Sequence, residues 1–181
     1  FITAVIALLV GAMGSVREIV KENDIYKRER AVGLKISPYV LSKVWLGCAL
    51  AIYQGVVILI ALLILVRPEI SSLLGYLALL ITMIISIICG YLLGLFVSAL
   101  APNQNSAQIV LIAFLVPQFL FAGMLQPLDK IPLGEVISPI ISTRWTFEAF
   151  IKSTGMGDVL ESDPCWKMDK DVRTSMSEET K

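Results

Sequence analysis

The amino-acid sequence predicts an all-α membrane protein, a polytopic bundle in which several helices cross the bilayer. Hydrophobic residues make up 56% of its 181 residues and charged residues 17%, whereas soluble domains carry about 25% charged residues. The hydrophobic residues fall into runs of about 20 or more, the length that a spanning helix requires. The net charge is zero and histidine is absent. This composition does not indicate a nucleic-acid partner, and it excludes histidine-based catalysis and metal binding within these residues.

Three apolar runs at the start of the chain predict the first spans. Residues 1–16 would form a helix about 24 Å long, shorter than the ~30 Å hydrocarbon core, and we interpret them as the end of a span rather than a signal peptide. Residues 44–66 and 73–100 would extend about 35 and 42 Å, which is enough to cross. Their short connection predicts antiparallel neighbours. In the longer helix we expect tilt or a break near Gly90.

The second half of the chain predicts one more span and a different kind of helix. Residues 106–126 would form a helix about 31 Å long, and Pro117 within it predicts a kink. Residues 128–151 are apolar but interrupted by Pro, Gly and charged residues, a pattern typical of short re-entrant or interfacial helices. Residues 152–181 form a polar tail.

The segment of residues 17–43, which we term the connector, is strongly charged and lies between apolar runs. It holds seven Lys/Arg and four Asp/Glu. Because cytoplasmic loops carry an excess of Lys and Arg, the count of seven near this side against three near the other places the connector in the cytoplasm. The tail is then expected outside.

A connecting helix is predicted over about residues 17–36. Gly33 offers a helix stop, and Ser37-Pro38 is expected to end any continuation before the next span. Ile19, Ile25/Tyr26 and Val32 recur about every seven residues and predict a modest apolar stripe. Two interpretations stay open: the helix lies on anionic lipid headgroups, or it docks to a cytosolic partner.

Small and amide residues within the spans indicate helix contacts. Gly90 and Gly94 form a GxxxG motif, which either allows close approach of a second helix or is only tolerated by lipid. The amides of Gln108 and Gln118 either form hydrogen bonds between helices or face a polar pathway.

Two separated segments carry a resemblance to a known family. Residues 22–30, ENDIYKRER, followed by YVLSK at 39–43, are similar to the segment between the second and third spans of type-2 export permeases of ATP-binding cassette transporters, the ABCG-like branch. LFAGML at 120–125, Pro132 and STRWTFEA at 142–149 resemble the end of the family's fifth span and its outer re-entrant helices. The matches occur in the family's order and frame about 130 residues.

The resemblance implies a role for each segment. Residues 1–151 would be the permease region, containing the second (partial) to fifth of six spans, and the second and fifth spans would line the substrate route. The connecting helix would touch the ATPase; the implied contacts are Glu22, Arg28, Glu29 and Arg30. Met124 and Leu125 fall where the family has an apolar plug, beside Gln118 and Phe119 on the route; their alternative is ordinary packing.

The implied function is export of a substrate, such as a lipid or an amphipathic small molecule, by alternating access. ATP and Mg would be bound by an ATP-binding cassette domain, fused or separate, because no GxxxxGK[ST] phosphate loop occurs here. A second permease unit and membrane lipid are the other implied partners, in a cell membrane. The alternative function is a multi-pass membrane anchor or sensor that recruits a cytosolic partner and transports nothing.

Overall fold

Helices make up nearly all of the structure, with no strand among the residues that it describes, which confirms the predicted all-α class. A computed structural model describes residues 2–65, 73–121, 139 and 141–154. By length and composition, three stretches in these ranges contain an apolar window that could cross a membrane: Ile2–Ala31, in which the apolar residues precede the charged connector, Ile36–Leu65 and Leu73–Leu100. The helices are α1 (Ile2–Ser15), α2 (Glu18–Ala31), α3 (Ile36–Leu65), α4 (Leu73–Leu100), α5 (Gln104–Leu120) and α6 (Ser142–Ser153).

Helix α4 is the centre of the bundle, and each of the other five described helices packs against it. Its buried side chains include Leu79, Met83 and Ile87, which recur every four residues and therefore form one apolar face. Of the two expected outcomes, tilt or a break near Gly90, the break does not occur, because α4 continues through this residue. A single glycine in a helix costs only about 1 kcal/mol, which tertiary packing can offset.

The contact between α1 and α4 is a seam of small residues in which the two backbones touch. A Cβ atom added at Gly90 would collide with the Leu8 carbonyl, and one at Gly94 would collide with the Ala12 carbonyl and Ser15 Oγ. Ser15 Oγ donates a hydrogen bond of 2.7 Å to the carbonyl oxygen of Tyr91. Close approach of this kind is what small residues permit between membrane helices.

A tight turn follows α2 and reverses the chain. Gly33 has φ = 110°, a left-handed conformation that favours glycine and ends a helix. Helix α3 then begins at Ile36, eight residues before the predicted span. Ser37-Pro38 therefore does not separate two helices but lies in the first turn of α3. Proline is tolerated there because the first backbone N–H groups of a helix have no acceptor within it.

Helices α5 and α6 complete the described bundle. The side-chain oxygen of Asn103 accepts a hydrogen bond of 2.9 Å from the Ser106 N–H and caps α5. The 17 residues of α5 would extend about 26 Å. The predicted end of this span and most of residues 128–140 lie outside the described residues. In α6, Trp145 Nε1 donates a hydrogen bond of 2.8 Å to the Pro139 carbonyl.

Candidate functional site

The first turns of α2 are joined to α3 through one lysine. Lys43 Nζ lies 3.0 Å from Glu18 Oε2 and 2.7 Å from Glu22 Oε1, and its side chain is only 14% exposed. Tyr39 donates its hydroxyl hydrogen to Glu22 Oε2 over 3.1 Å. We term Glu18, Glu22, Tyr39 and Lys43 the Lys43 clamp.

Residue spacing explains why these four side chains meet. Glu18 and Glu22 are four residues apart on α2, and Tyr39 and Lys43 are four residues apart on α3, so each pair lies on one helix face. The turn at Gly33 brings the two faces together. The rings of Tyr26 and Tyr39 extend the contact by one turn, with centroids 4.9 Å apart.

The clamp favours the ionised form of the Glu22 carboxyl. The hydrogen bond from Lys43 lowers the pKa of the Glu22 carboxyl below its ordinary value of 4.5, and burial opposes this only in part. Hydrogen bonds between charged groups are stronger than those between neutral groups. The clamp is therefore a charged joint between α2 and α3 rather than a lysine that only extends toward lipid headgroups.

The start of α2 is also joined to α4. Ser98 Oγ accepts hydrogen bonds of 3.0 Å from both the Ile19 and the Val20 backbone N–H groups. Arg17, the residue before α2, gives no side-chain cap. The sequence offers no local signal for this contact, because the partners are 79 and 78 residues apart.

The predicted coupling residues fall in two places. Glu22 belongs to the Lys43 clamp, whereas Arg28, Glu29 and Arg30 are exposed near the end of α2. Arg28 and Glu29, together with Val32 and Leu34, border a surface cleft of about 590 Å³. The end of α2 therefore offers charges of both signs beside apolar side chains.

The residues of the predicted apolar stripe of α2 do not share one environment in the bundle. Ile19 and Tyr26 are half-buried against the bundle, but Ile25 is 58% and Val32 91% exposed. The reason is that the Lys43 clamp and Ser98 set the rotation of α2. These polar contacts turn a face containing Glu18 and Glu22 inward.

The predicted pathway residues are described only in part. Gln118 Oε1 accepts hydrogen bonds from Thr143 Oγ1 over 3.1 Å and from Thr143 N over 3.4 Å. This contact joins α5 to α6. It agrees with the first of the two interpretations of Gln118, a hydrogen bond between helices. Phe119 lines the same small space, with Val5 and Leu8 of α1. Met124 and Leu125 lie outside the described residues, so the plug stays a prediction.

Comparisons with known proteins identify the family. The sequence model of the family described as ABC-2 type transporter matches residues 1–154. Over 155 residues the chain is 26% identical to the ABC transporter ATP-binding/permease protein Rv1747 of Mycobacterium tuberculosis, a match that covers 79% of this chain and 17% of that protein. No solved structure matches the chain. Because the family model covers most of its length, the chain belongs to the ABC-2 type transporter family as a membrane domain.

Proposed function

We propose that the chain is the permease part of an ATP-driven exporter in which α2 receives the movement of an ATP-binding domain. Family membership gives the chain a transport role in the membrane. The relative from Mycobacterium tuberculosis combines ATP-binding and permease functions in its name, which supports a fused or separate ATP-binding domain as the partner. ATP and Mg would be bound by that domain. The cargo would be a lipid or an amphipathic small molecule.

The observation that carries the proposal is the uneven attachment of α2. Its first turns are held by Lys43 of α3 and Ser98 of α4. Its last turn presents Arg28, Glu29 and Arg30 at the surface. A helix that is fixed at one end and exposed at the other can transfer a push at its exposed end into the bundle.

The chemistry of the exposed end suits a protein partner. Basic residues gain about 1 kcal/mol each near anionic headgroups, so Arg28 and Arg30 would also favour a lipid surface, but an anionic surface supplies no positive charge for Glu29 between them. A cleft bordered by both charges and apolar side chains suits a partner that supplies complementary charges. We place this partner in the cytoplasm, in line with the excess of Lys and Arg in the connector.

The transport step would follow from two arrangements of the bundle. In one arrangement the cavity between two permease units opens inward, and in the other it opens outward. Nucleotide-driven closure of the ATP-binding domains would favour the second by moving α2 and, through the Lys43 clamp, α3. Met124 and Leu125 would seal the outer end in the first arrangement.

The test is ATP hydrolysis by the full-length protein in liposomes, with Glu29→Lys and Arg30→Glu introduced together. We expect hydrolysis to fall by up to about tenfold, since a loss of some 1.4 kcal/mol lowers the docking equilibrium constant by that factor. The matched control is Glu148→Lys with Lys152→Glu. These residues form an exposed 3.0 Å ion pair in α6, and exchanging them retains the pair away from α2.

Two outcomes separate the proposal from its alternative. A selective loss of hydrolysis in an assembled α2 variant supports docking of an ATP-binding domain. Unchanged hydrolysis in both variants contradicts docking at this end of α2. In that case a membrane anchor or sensor, whose connector recruits a different cytosolic partner, becomes the better interpretation.

A further inference from the structure

Ser98 caps the start of α2, a role that the residue just before a helix normally fills. A helix begins with backbone N–H groups that have no acceptor within the helix, and a Ser, Thr, Asp or Asn just before it usually accepts from the second or third of them. In α2 the second and third residues are Ile19 and Val20, and both donate to Ser98 Oγ at 3.0 Å. The cap of α2 is thus supplied by α4.

The surroundings of Ser98 make this contact hard to replace. Ser98 is 1% exposed, so water has little access to its hydroxyl oxygen, and the two donor residues, Ile19 and Val20, are half-buried. Arg17 offers no alternative side-chain cap. Loss of the hydroxyl would leave two backbone donors without an acceptor in a poorly hydrated position, which is costly.

The contact with α4 and the Lys43 clamp hold the same short segment. Ser98 bonds residues 19 and 20, and Lys43 bonds the residues on either side of them, Glu18 and Glu22. The first turns of α2 are therefore bonded to two helices, α3 and α4. About 12 Å of helix, from Glu22 to Arg30, extends beyond these contacts.

We propose that Ser98 is a positioning residue that makes α4 move together with α2, so that displacement of the exposed end of α2 reaches α4 as well as α3. This inference rests on the proposed function, since it needs α2 to be displaced by a partner. It adds that α4, the central helix, receives the movement directly. Lys43 alone would connect α2 only to α3.

The chain supplies a matched control in the same helix. Ser86 is also 1% exposed, but its hydroxyl has no hydrogen-bond partner among the described residues. Ser98→Ala and Ser86→Ala remove the same atom at the same burial. Only Ser98→Ala removes the acceptor of the Ile19 and Val20 N–H groups.

The first measurement is amide hydrogen exchange of the full-length protein. Removing a cap typically costs about 1 kcal/mol, so the Ile19 and Val20 amides should exchange about fivefold faster in Ser98→Ala. Ser86→Ala should leave them unchanged. Ser98→Thr, which retains the hydroxyl, should restore slow exchange. Equal exchange in Ser98→Ala and Ser86→Ala would overturn the proposal.

The second measurement tests the coupled movement. Spin labels are placed at Leu41 of α3 or at Leu100 of α4, both exposed, in the full-length protein with its native cysteines replaced. Distances between the two permease units are compared without nucleotide and with ATP, Mg and vanadate. In the wild type and in Ser86→Ala, both distances should change. In Ser98→Ala the Leu41 distance should still change, whereas at least half of the Leu100 change should be lost.

The outcomes distinguish this inference from the proposed function. A Leu100 change of full size in Ser98→Ala overturns the role of Ser98 while leaving the proposed function intact. If neither distance responds to nucleotide in a wild type that hydrolyses ATP, the proposed function itself fails. Should Ser98→Ala not assemble, Ser98→Cys keeps the side-chain volume with a weaker acceptor, and the same distances decide.

Discussion

Lys43 satisfies two carboxylates that would otherwise repel each other. Glu18 and Glu22 lie one turn apart on α2, and like charges at this spacing destabilise a helix. With Lys43 Nζ within 3.0 Å of each carboxylate, the repulsion is replaced by two ion pairs. Because both glutamates are only about one-third exposed, the ion pairs are screened less than those on an open surface.

The Lys43 clamp should make stability depend on acidic pH. The pKa of Glu22 is lower in the folded protein than its ordinary value of 4.5 because Lys43 hydrogen-bonds the carboxylate. The stabilisation of the folded protein by ionised Glu22 is therefore complete above pH 4.5 and is lost as the pH falls through the lower, folded-state pKa. We expect Glu22→Gln to lower the melting temperature at pH 7 by about 2–4 °C, equivalent to roughly 1 kcal/mol.

The pH profile provides the decisive comparison. As the pH falls from 4.5 through the lower, folded-state pKa of Glu22, the melting curves of the wild type and of Glu22→Gln should converge, as measured by intrinsic fluorescence in lipid nanodiscs. Asp24→Asn removes an exposed carboxylate of the same helix and should follow the wild type. A constant difference between wild type and Glu22→Gln at all pH values would argue against an ionised Glu22 in the clamp.

Among the helices, the pair α1 and α4 has the least tolerance for added volume. Gly11, Gly90 and Gly94 bring the two backbones into contact, and the neighbouring atoms, apart from Ser15 Oγ beside Gly94, belong to the backbone and cannot move aside alone. Any side chain here must push one whole helix away from the other. The α1–α4 contact is therefore set by helix positions rather than by side-chain conformations.

Two alanine substitutions test this contact. Gly90→Ala should destabilise the protein by about 1–3 kcal/mol, as over-packing does. Gly14→Ala in α1 is the matched control, since a Cβ atom there meets nothing within 4 Å, and it should be neutral or slightly stabilising. Denaturation of both variants in nanodiscs gives the difference. Equal stabilities would mean that α1 and α4 are not in backbone contact at Gly90.

For the helices, sequence patterns predict the bounds better than they predict which helices pack together. Hydropathy predicts α4 with the observed bounds, Leu73–Leu100, because apolar runs are a direct record of burial in lipid. The stop at Gly33 is also predictable, since the left-handed conformation favours glycine. The early start of α3 is missed because Pro38 is a helix breaker everywhere except in a first turn.

In the candidate site, the sequence predicts the exposed charged residues but not the contacts between helices. The charged residues of the connector predict a docking segment, and Arg28, Glu29 and Arg30 within it are exposed. The sequence does not predict that Glu22 and Glu18 share Lys43, or that Ser98 caps α2. These contacts depend on how the helices are placed in space, and helical periodicity carries no information about the identity of a partner.

For the whole molecule, the described bundle leaves apolar faces that the bilayer or other protein must cover. Residues on α3 such as Trp45, and residues on α5 such as Ile112, are more than half exposed. Under the proposed function, α1 and α5 would face a second permease unit and α3 would face lipid. The two faces should then behave differently toward a second copy.

Disulfide cross-linking distinguishes the faces. Ile112→Cys and Trp45→Cys are introduced separately into the full-length protein, with native cysteines replaced by serine. Oxidation in membranes should link two copies through position 112 at least fivefold more efficiently than through position 45. Preferential linkage through position 45 would place the second unit on the α3 side and contradict the proposed substrate route.

The seam between α1 and α4 also has a consequence for biosynthesis. Leu8 and Gly90 touch in the finished bundle, but about 80 residues separate them in the chain. At a synthesis rate of about 5–20 residues per second, α1 waits roughly 4–16 s for its partner to leave the ribosome. During that interval its small-residue face has no helix to fill it. The membrane insertion machinery or surrounding lipid must shield α1 until α4 arrives, so the seam closes late in assembly.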